Sequence, residues 1–311
     1  MRALLLGGAG FIGLHLARRL LADGHSVTIA DDFSRGRHDF TDFTDIRSCD
    51  LTDPASYADL DPAGWDHVYL LAAVVGVRNV EADPARVLRV NSLVALHLLD
   101  WIRPGQRLFF ASTSEAYAGG VSTGLVPVPT AEDVPLVIEQ VAAPRFSYAI
   151  SKTFGEAAVL HSKASAVVGR FHNVYGARMG VDHVIPELSL RALRGEDPFV
   201  LYGADQSRAF CHVDDAVEAM VRLMASPYEG VVHIGNPEET NIGDLAKLIL
   251  RIAGADPAVR EVPAPAGSVA RRCPDISLLR EVTGFVPRVG LEDGVARTFA
   301  WYREHVFQEV S

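Results

Sequence analysis

The sequence predicts an α/β protein, with a doubly wound parallel sheet and a smaller mixed α/β lobe toward the C-terminus. Three observations carry this. A short apolar run, Ala3-Leu-Leu-Leu6, enters the glycine turn Gly7-Gly-Ala-Gly10-Phe-Ile-Gly13 and then an apolar helical repeat, Leu14, Ala17, Leu20 and Leu21. Further apolar runs of strand length recur between helical stretches, the pattern of a buried parallel sheet. After about residue 175 that alternation loosens. With 311 residues, 49% apolar and 22% charged, the chain has the material for a large soluble core.

The elements follow in order. Glycines at 7, 10 and 13 allow a tight turn, close approach to a pyrophosphate, and packing of helix on strand. Phe11 and Ile12 open the helix, whose N-terminus offers unpaired N–H groups to phosphates. This is the Rossmann-type context that lifts a glycine pattern above coincidence. Ser26-Val-Thr-Ile-Ala30 is a second strand ending at Asp31, an acid placed to accept the adenosine-ribose hydroxyls. NAD is therefore expected rather than NADP, although Arg35 and Arg37 could accommodate a 2′-phosphate. Cys49-Asp50-Leu51 is read as a third strand bringing Asp50 and Leu51 to an adenine edge, or as a turn before Pro54. His67-Val-Tyr-Leu-Leu-Ala-Ala73 is a fourth strand, with Leu71, Ala72 and Ala73 against the cofactor. The helix from Pro84 is apolar on more than one face (Val87, Leu88, Leu93, Leu96, Leu98, Leu99), which suggests burial on both sides or a homodimer.

Arg107-Leu-Phe-Phe-Ala111 is a fifth strand running into Ser112-Thr113-Ser114-Glu115, and ligands in such sheets bind outside the carboxyl ends of strands. A loop at 119–145, punctuated by Pro127, Pro129, Pro135 and Pro144, separates it from Tyr148-Ala-Ile-Ser-Lys152. A tyrosine and a lysine four apart share a helix face, and an ammonium beside a phenol is expected to lower its pKa toward neutrality. The lysine is no accident of composition, since only Lys152, Lys163 and Lys247 occur among 29 basic residues. Ala166-Val-Val-Gly-Arg170 is a sixth strand, Phe199-Val-Leu-Tyr202 a short one in the second lobe, and Val231-Val-His-Ile-Gly235 is expected to return to the main sheet.

The remaining numbers exclude classes. A net charge of −10 argues against nucleic-acid or acidic-membrane partners. Cys49, Cys211 and Cys273 are too few and too scattered for a disulfide framework or zinc site, so no metal and a cytoplasmic setting are expected. No signal peptide is evident, and no apolar stretch reaches the ~18 residues of a membrane span.

Taken together, Gly7-x-x-Gly10-x-x-Gly13, Ser112-Thr-Ser-Glu115, Tyr148-x-x-x-Lys152, Arg170-Phe-His-Asn-Val-Tyr-Gly176, Arg208-Ala-Phe-Cys-His-Val-Asp-Asp215 and Arg271-Arg-Cys-Pro-Asp275 resemble the extended short-chain dehydrogenase/reductase family over nearly the whole chain. That family comprises nucleotide-sugar epimerases, dehydratases and decarboxylases. Ala118 and Ala177 depart from the family's usual glycine and proline. The resemblance implies an NAD-binding Rossmann domain at 1–174 plus about 212–235, and a lobe at 175–211 and 236–311 for a nucleoside-diphosphate sugar, UDP-linked by preference. It implies that Tyr148 takes the sugar O4 proton as hydride leaves C4. Lys152 lowers the tyrosine pKa, Thr113 bonds the same hydroxyl, and Asn173, Arg178, Arg208 and Arg272 hold diphosphate or sugar. Which of Arg271 and Arg272 faces inward stays open.

The C4 ketone leads to three outcomes: 4-epimerisation, loss of water across C5–C6, or decarboxylation of a uronic acid. Glu115 is similar to dehydratases and glucuronate decarboxylases rather than epimerases, whereas Ser114 stands where many dehydratases carry an aspartate. The Arg271-Arg-Cys-Pro-Asp segment is closer to decarboxylases. Dehydration is nevertheless ranked first, because Glu115 suits it and no second cluster of cations for a uronate is evident. Decarboxylation and 4-epimerisation are the alternatives, and a catalytically idle NAD-binding sensor is the reading from another class.

Overall fold

The structure is a computed structural model describing residues 1–35, 43, 45–264 and 269–307; Arg37 lies outside the described residues. In chain order its elements are β1 (Arg2–Leu6), α1 (Phe11–Ala22), β2 (Ser26–Asp31), β3 (Ile46–Ser48), β4 (His67–Leu70), α2 (Val77–Ala82), α3 (Pro84–Trp101), β5 (Arg107–Thr113), α4 (Ala118–Ser122), α5 (Phe146–Leu160), β6 (Ser165–Phe171) and β7 (Val174–Tyr175). There follow α6 (Val184–Leu193), β8 (Phe199–Tyr202), β9 (Ser207–Ala209), β10 (Cys211–His212), α7 (Val213–Ala225), β11 (Gly230–Ile234), β12 (Glu239–Asn241), α8 (Ile242–Ala253), β13 (Val259–Val262), β14 (Arg271–Arg272), α9 (Ser277–Thr283) and α10 (Leu291–Tyr302).

Seven parallel strands form the central sheet in the order β11-β6-β5-β4-β1-β2-β3. Both faces are covered, which is why the strands read as continuous apolar runs. Along β1, Ala3 and Leu5 join the core under α1 and α7, while Leu4 and Leu6 face the core beneath α3. The strand order reverses at β1, leaving a crevice between the carboxyl ends of β1 and β4. The second lobe has its own core, built from β8, α6, α8 and α10 around Phe199, Leu245, Ile249 and Phe299.

Most predicted strands occupy their expected places, including β11 at the sheet edge beside β6. The third does not. Strand β3 ends at Ser48, and Cys49-Asp50-Leu51 follows it as a turn. Asp50 accepts hydrogen bonds from the Thr52 N–H at 2.9 Å and hydroxyl at 2.7 Å, so its carboxylate favours a turn over strand continuation. Leu51 is buried in the core.

Candidate functional site

The crevice at β1 and β4 is shaped by backbone. Gly7 has φ of 81°, and a Cβ there would lie 2.3 Å from the Ala72 nitrogen, so turn and β4 end meet with no room for a side chain. Leu71 and Ala72 both donate N–H groups to the Leu6 carbonyl, at 2.8 and 2.9 Å, and Ala73 continues the same segment. Gly13 packs equally hard on Gly8, where a Cβ would come within 2.6 Å of its carbonyl oxygen. Gly10 differs: the only neighbour within 4 Å of an added Cβ is the Gly7 oxygen, at 3.5 Å. A Cβ there would make only an ordinary contact, at the cap position of α1. Two glycines thus serve packing, and the third leaves room for a phosphate over the helix N-terminus. Asp31 accepts from the N–H groups of Ala9 and Phe33, at 2.9 Å each, which ties the acid at the end of β2 to the glycine turn. Burial holds its carboxyl above the usual range. Arg35 reaches the Val75 carbonyl at 3.0 Å.

The second half of the site lies at the ends of β5 and α5. Thr113 closes β5 and is hydrogen-bonded to the Tyr148 hydroxyl; its own Oγ1 accepts from the Glu115 N–H at 3.2 Å. Ser114 is buried at the start of the following helical turn. Lys152 is buried and donates to the Ala111 carbonyl at 2.7 Å, with Nζ 6.0 Å from the Tyr148 ring centre and 5.1 Å from that of Phe110. The expected fall in the tyrosine pKa is not found. Burial pushes the Tyr148 phenol up, and the Glu115 carboxylate adds to this, against the opposing Thr113 hydrogen bond and Arg35 charge. An ammonium anchored to a backbone carbonyl does not overcome that desolvation. Lys152 itself is brought down to about 8 by burial, with Glu156 pulling the other way.

From the opposite side come the arginines. Strand β14 pairs in parallel with β9, so Arg272 stands beside Arg208 in register and Arg271 beside Ser207. Residues alternate across a strand, and the two arginines part accordingly. Arg271 is exposed and bound to Glu239, whereas Arg272 turns inward and donates to Glu115 Oε1 at 2.6 Å. Burial would raise the Glu115 carboxyl, but Arg272, with Arg145 and Arg208 behind it, holds it below its ordinary value. Burial and the Arg272 charge push Arg208 down to about 10. The sequence reading found no cation cluster for a uronate; here Arg272 contacts the Glu115 carboxylate, and the charges of Arg145 and Arg208 act on it from farther off. Arg145 was missed altogether. Its signal was available, because it stands three residues before Tyr148, within one helical turn.

Two further residues sit on the loops that lead to β7 and α6. Asn173, with φ of 40°, donates its amide to the Ala209 carbonyl at 2.9 Å and so ties the end of β6 to β9. Arg178 is half-buried in the turn after β7, with φ of 68°. Among the described residues no cluster of three or more His, Cys, Asp or Glu side chains is set for a metal ion.

Residues 3–243 match the model of the NAD dependent epimerase/dehydratase family. The chain belongs to that family. It is 32% identical to the UDP-N-acetyl-alpha-D-glucosaminuronate decarboxylase of Bacillus cytotoxicus, over 97% of this chain and 98% of that protein. Its fold superposes on the UDP-glucose 4-epimerase of Thermotoga maritima with a TM-score of 0.86, at 28% identity, covering 98% and 99% of the two chains. TunA, an NAD-dependent NDP-hexosamine 5,6-dehydratase, matches with a TM-score of 0.83 at 25% identity, covering 99% and 100%. The protein is therefore an enzyme that uses NAD to modify a nucleotide sugar, and the glycine turn with its open Gly10 fits that cofactor. Decarboxylases, epimerases and a dehydratase are all represented among proteins it resembles.

Proposed function

We propose that this family member decarboxylates a UDP-linked uronic acid after transient oxidation at C4. The observation that carries this reading is the Arg272–Glu115 pair at 2.6 Å, with Arg208 in the adjacent register position. In this reading these guanidiniums belong to the sugar end of the site, with the Thr113–Tyr148 hydrogen bond. A C6 carboxylate is the substrate group that such cations recognise, and arginine meets it with two-point geometry. The relative of 32% identity named as a glucosaminuronate decarboxylase supports the same choice.

NAD would be held by Gly7, Gly10, Phe11, Ile12, Gly13 and Asp31, beside Leu71, Ala72 and Ala73, and would supply the hydride acceptor for C4. Tyr148 takes the O4 proton, with Thr113 bonded to the same centre and Lys152 supplying positive charge beside the ring. Arg272 and Arg208 orient the carboxylate so that the C5–C6 bond lies along the ketone π system. As that bond breaks, its electron pair enters the C4–C5 enolate and CO2 leaves; a proton delivered to C5, then hydride returned to C4 and the Tyr148 proton returned to O4, would close the cycle with no net oxidation. Glu115 keeps Arg272 aimed, and Ser114 lines the same turn. Asn173 and Arg178 belong to the lobe at 175–211 and 236–311, or its border, that receives the nucleotide.

Dehydration, first in the sequence reading, moves behind decarboxylation for a physical reason. A carboxylate held below its usual range by three guanidiniums is a weak base for a C5 hydrogen. Epimerisation keeps the support of the Thermotoga maritima likeness. The test is incubation with UDP-glucuronate, UDP-N-acetylglucosaminuronate and the matching UDP-hexoses, followed by mass spectrometry. Loss of CO2 from a uronate is the expected result, while loss of water or an isomer of unchanged mass from a hexose would overturn it. The homodimer is likewise a proposal: Leu96 on α3 and Phe154 and Leu160 on α5 are exposed. No described helix is long and apolar enough to cross a membrane.

A further inference from the structure

Beneath the Tyr148–Lys152 pair lies an ionic network that the reaction does not touch. Glu156 follows Lys152 by one turn of α5 and is equally buried, with exposures of 3% and 4%. Arg170, from β6, grips its carboxylate at two points, Nε to Oε1 at 2.9 Å and Nη2 to Oε2 at 2.7 Å. The Ser112 hydroxyl donates to Oε1 as well. Arg170 is anchored in turn to the Glu132 carbonyl at 3.0 Å. Consecutive residues of β5 therefore hold consecutive turns of α5: Ala111 accepts from Lys152, and Ser112 bonds Glu156.

The charges decide what this arrangement does. Two cations, Lys152 and Arg170, are buried around one anion. Two buried ammonium-type charges with no counter-ion are costly, and the group able to shed its proton is the lysine, not the arginine. Among the described residues, the other groups in contact with Lys152 carry no charge: the Ala111 carbonyl and Phe110 ring of β5 and the Tyr148 phenol on α5.

We propose that Glu156, fixed by Arg170 and Ser112, is a positioning residue that keeps Lys152 an ammonium aimed at the catalytic centre. The inference rests on oxidation by way of Tyr148 and Lys152, but not on which product is formed. The shift already seen is consistent with it, since burial lowers Lys152 and Glu156 is the group that opposes the fall.

Lysine scarcity makes the test direct. With only Lys152, Lys163 and Lys247 in the chain, 13C-labelled lysine gives three side-chain signals to titrate by NMR, assigned with Lys152→Arg. In Glu156→Gln the midpoint of the Lys152 signal is expected to fall by about one pH unit or more, while Lys163 and Lys247 stay put. Glu156→Asp, which keeps the charge, is expected to restore most of the shift, and Ser112→Ala to give a smaller fall. The alkaline limb of kcat/KM, measured with whichever substrate is turned over, is expected to move by the same amount in the same direction. Because the NMR readout needs no substrate, it stands even if the decarboxylase assignment fails. An unmoved Lys152 midpoint in a folded Glu156→Gln or Ser112→Ala protein, or a shift in Glu156→Asp as large as in Gln, would overturn the inference and leave the network a purely structural brace.

Discussion

Replacing Arg272 with glutamine separates the carboxylate role proposed for it from simple phosphate binding. In the substrate-free protein Arg272 makes one charge-assisted bond to Glu115, with 13% of its own side chain exposed and 35% of the glutamate's. That much exposure screens the pair, so its loss costs only about 1 kcal/mol of stability. With a uronate bound, the same guanidinium holds the group that leaves. Losing one charge-assisted contact there costs about 1.5–3 kcal/mol, or roughly ten- to a hundredfold in kcat/KM. Arg272→Lys keeps the charge without the fork and is expected to fall between. The assay is CO2 release from the uronate, set against calorimetric affinity for UDP alone. Decarboxylation within about twofold of wild type, or UDP affinity lost as steeply as kcat/KM, would show that Arg272 does not hold the carboxylate. Acid stability gives a second check. The Glu115 carboxyl lies below its ordinary value in the folded chain, so its stabilisation is present above the unfolded pKa and lost as pH falls through the folded one. Without Arg272 burial weighs more, and that loss is expected to begin at higher pH.

Three shorter predictions accompany it. Tyr148→Phe is expected to lower turnover by about 10²-fold or more with NAD binding retained; turnover near wild type would remove oxidation-first chemistry altogether. Gly10→Ala should fold with a melting temperature close to wild type but bind NAD poorly, because its added Cβ makes only an ordinary contact within the protein, whereas Gly7→Ala should be unstable, its Cβ falling on the Ala72 backbone at positive φ. Equal melting temperatures for the two variants would contradict this division between packing and ligand glycines. Glu115→Gln is expected to suppress CO2 release from a uronate, and wild-type rates in that variant would show that Glu115 does not aim Arg272 in the reaction.

How far the sequence reached can be followed residue by residue. The glycine turn was legible because its parts are local: a strand, three glycines and a helix within a few turns of chain. Tyr148 and Lys152 were legible for the same reason, since four residues on a helix define a face. Asp50 stayed open between strand and turn because a short edge strand and an Asx turn share the same residue types, and only the Thr52 hydrogen bonds decide for the turn. Glu156 carried a signal at the same helical spacing as Lys152, but a carboxylate on a helix reads as a solvated face until Arg170 is seen against it.

By itself the sequence determined the sheet, the glycine turn and the placing of Tyr148 and Lys152 on one helix, because backbone periodicity and glycine stereochemistry act over a few residues. Only the tertiary structure decided which arginine turns inward, since that depends on the register of β14 against β9, and which carboxylate it meets, since Glu115 and Arg272 are 157 positions apart. It also decided the surroundings of Tyr148. Burial and a neighbouring carboxylate push its phenol up, and those influences are set by what packs around a side chain, not by what precedes it in the chain.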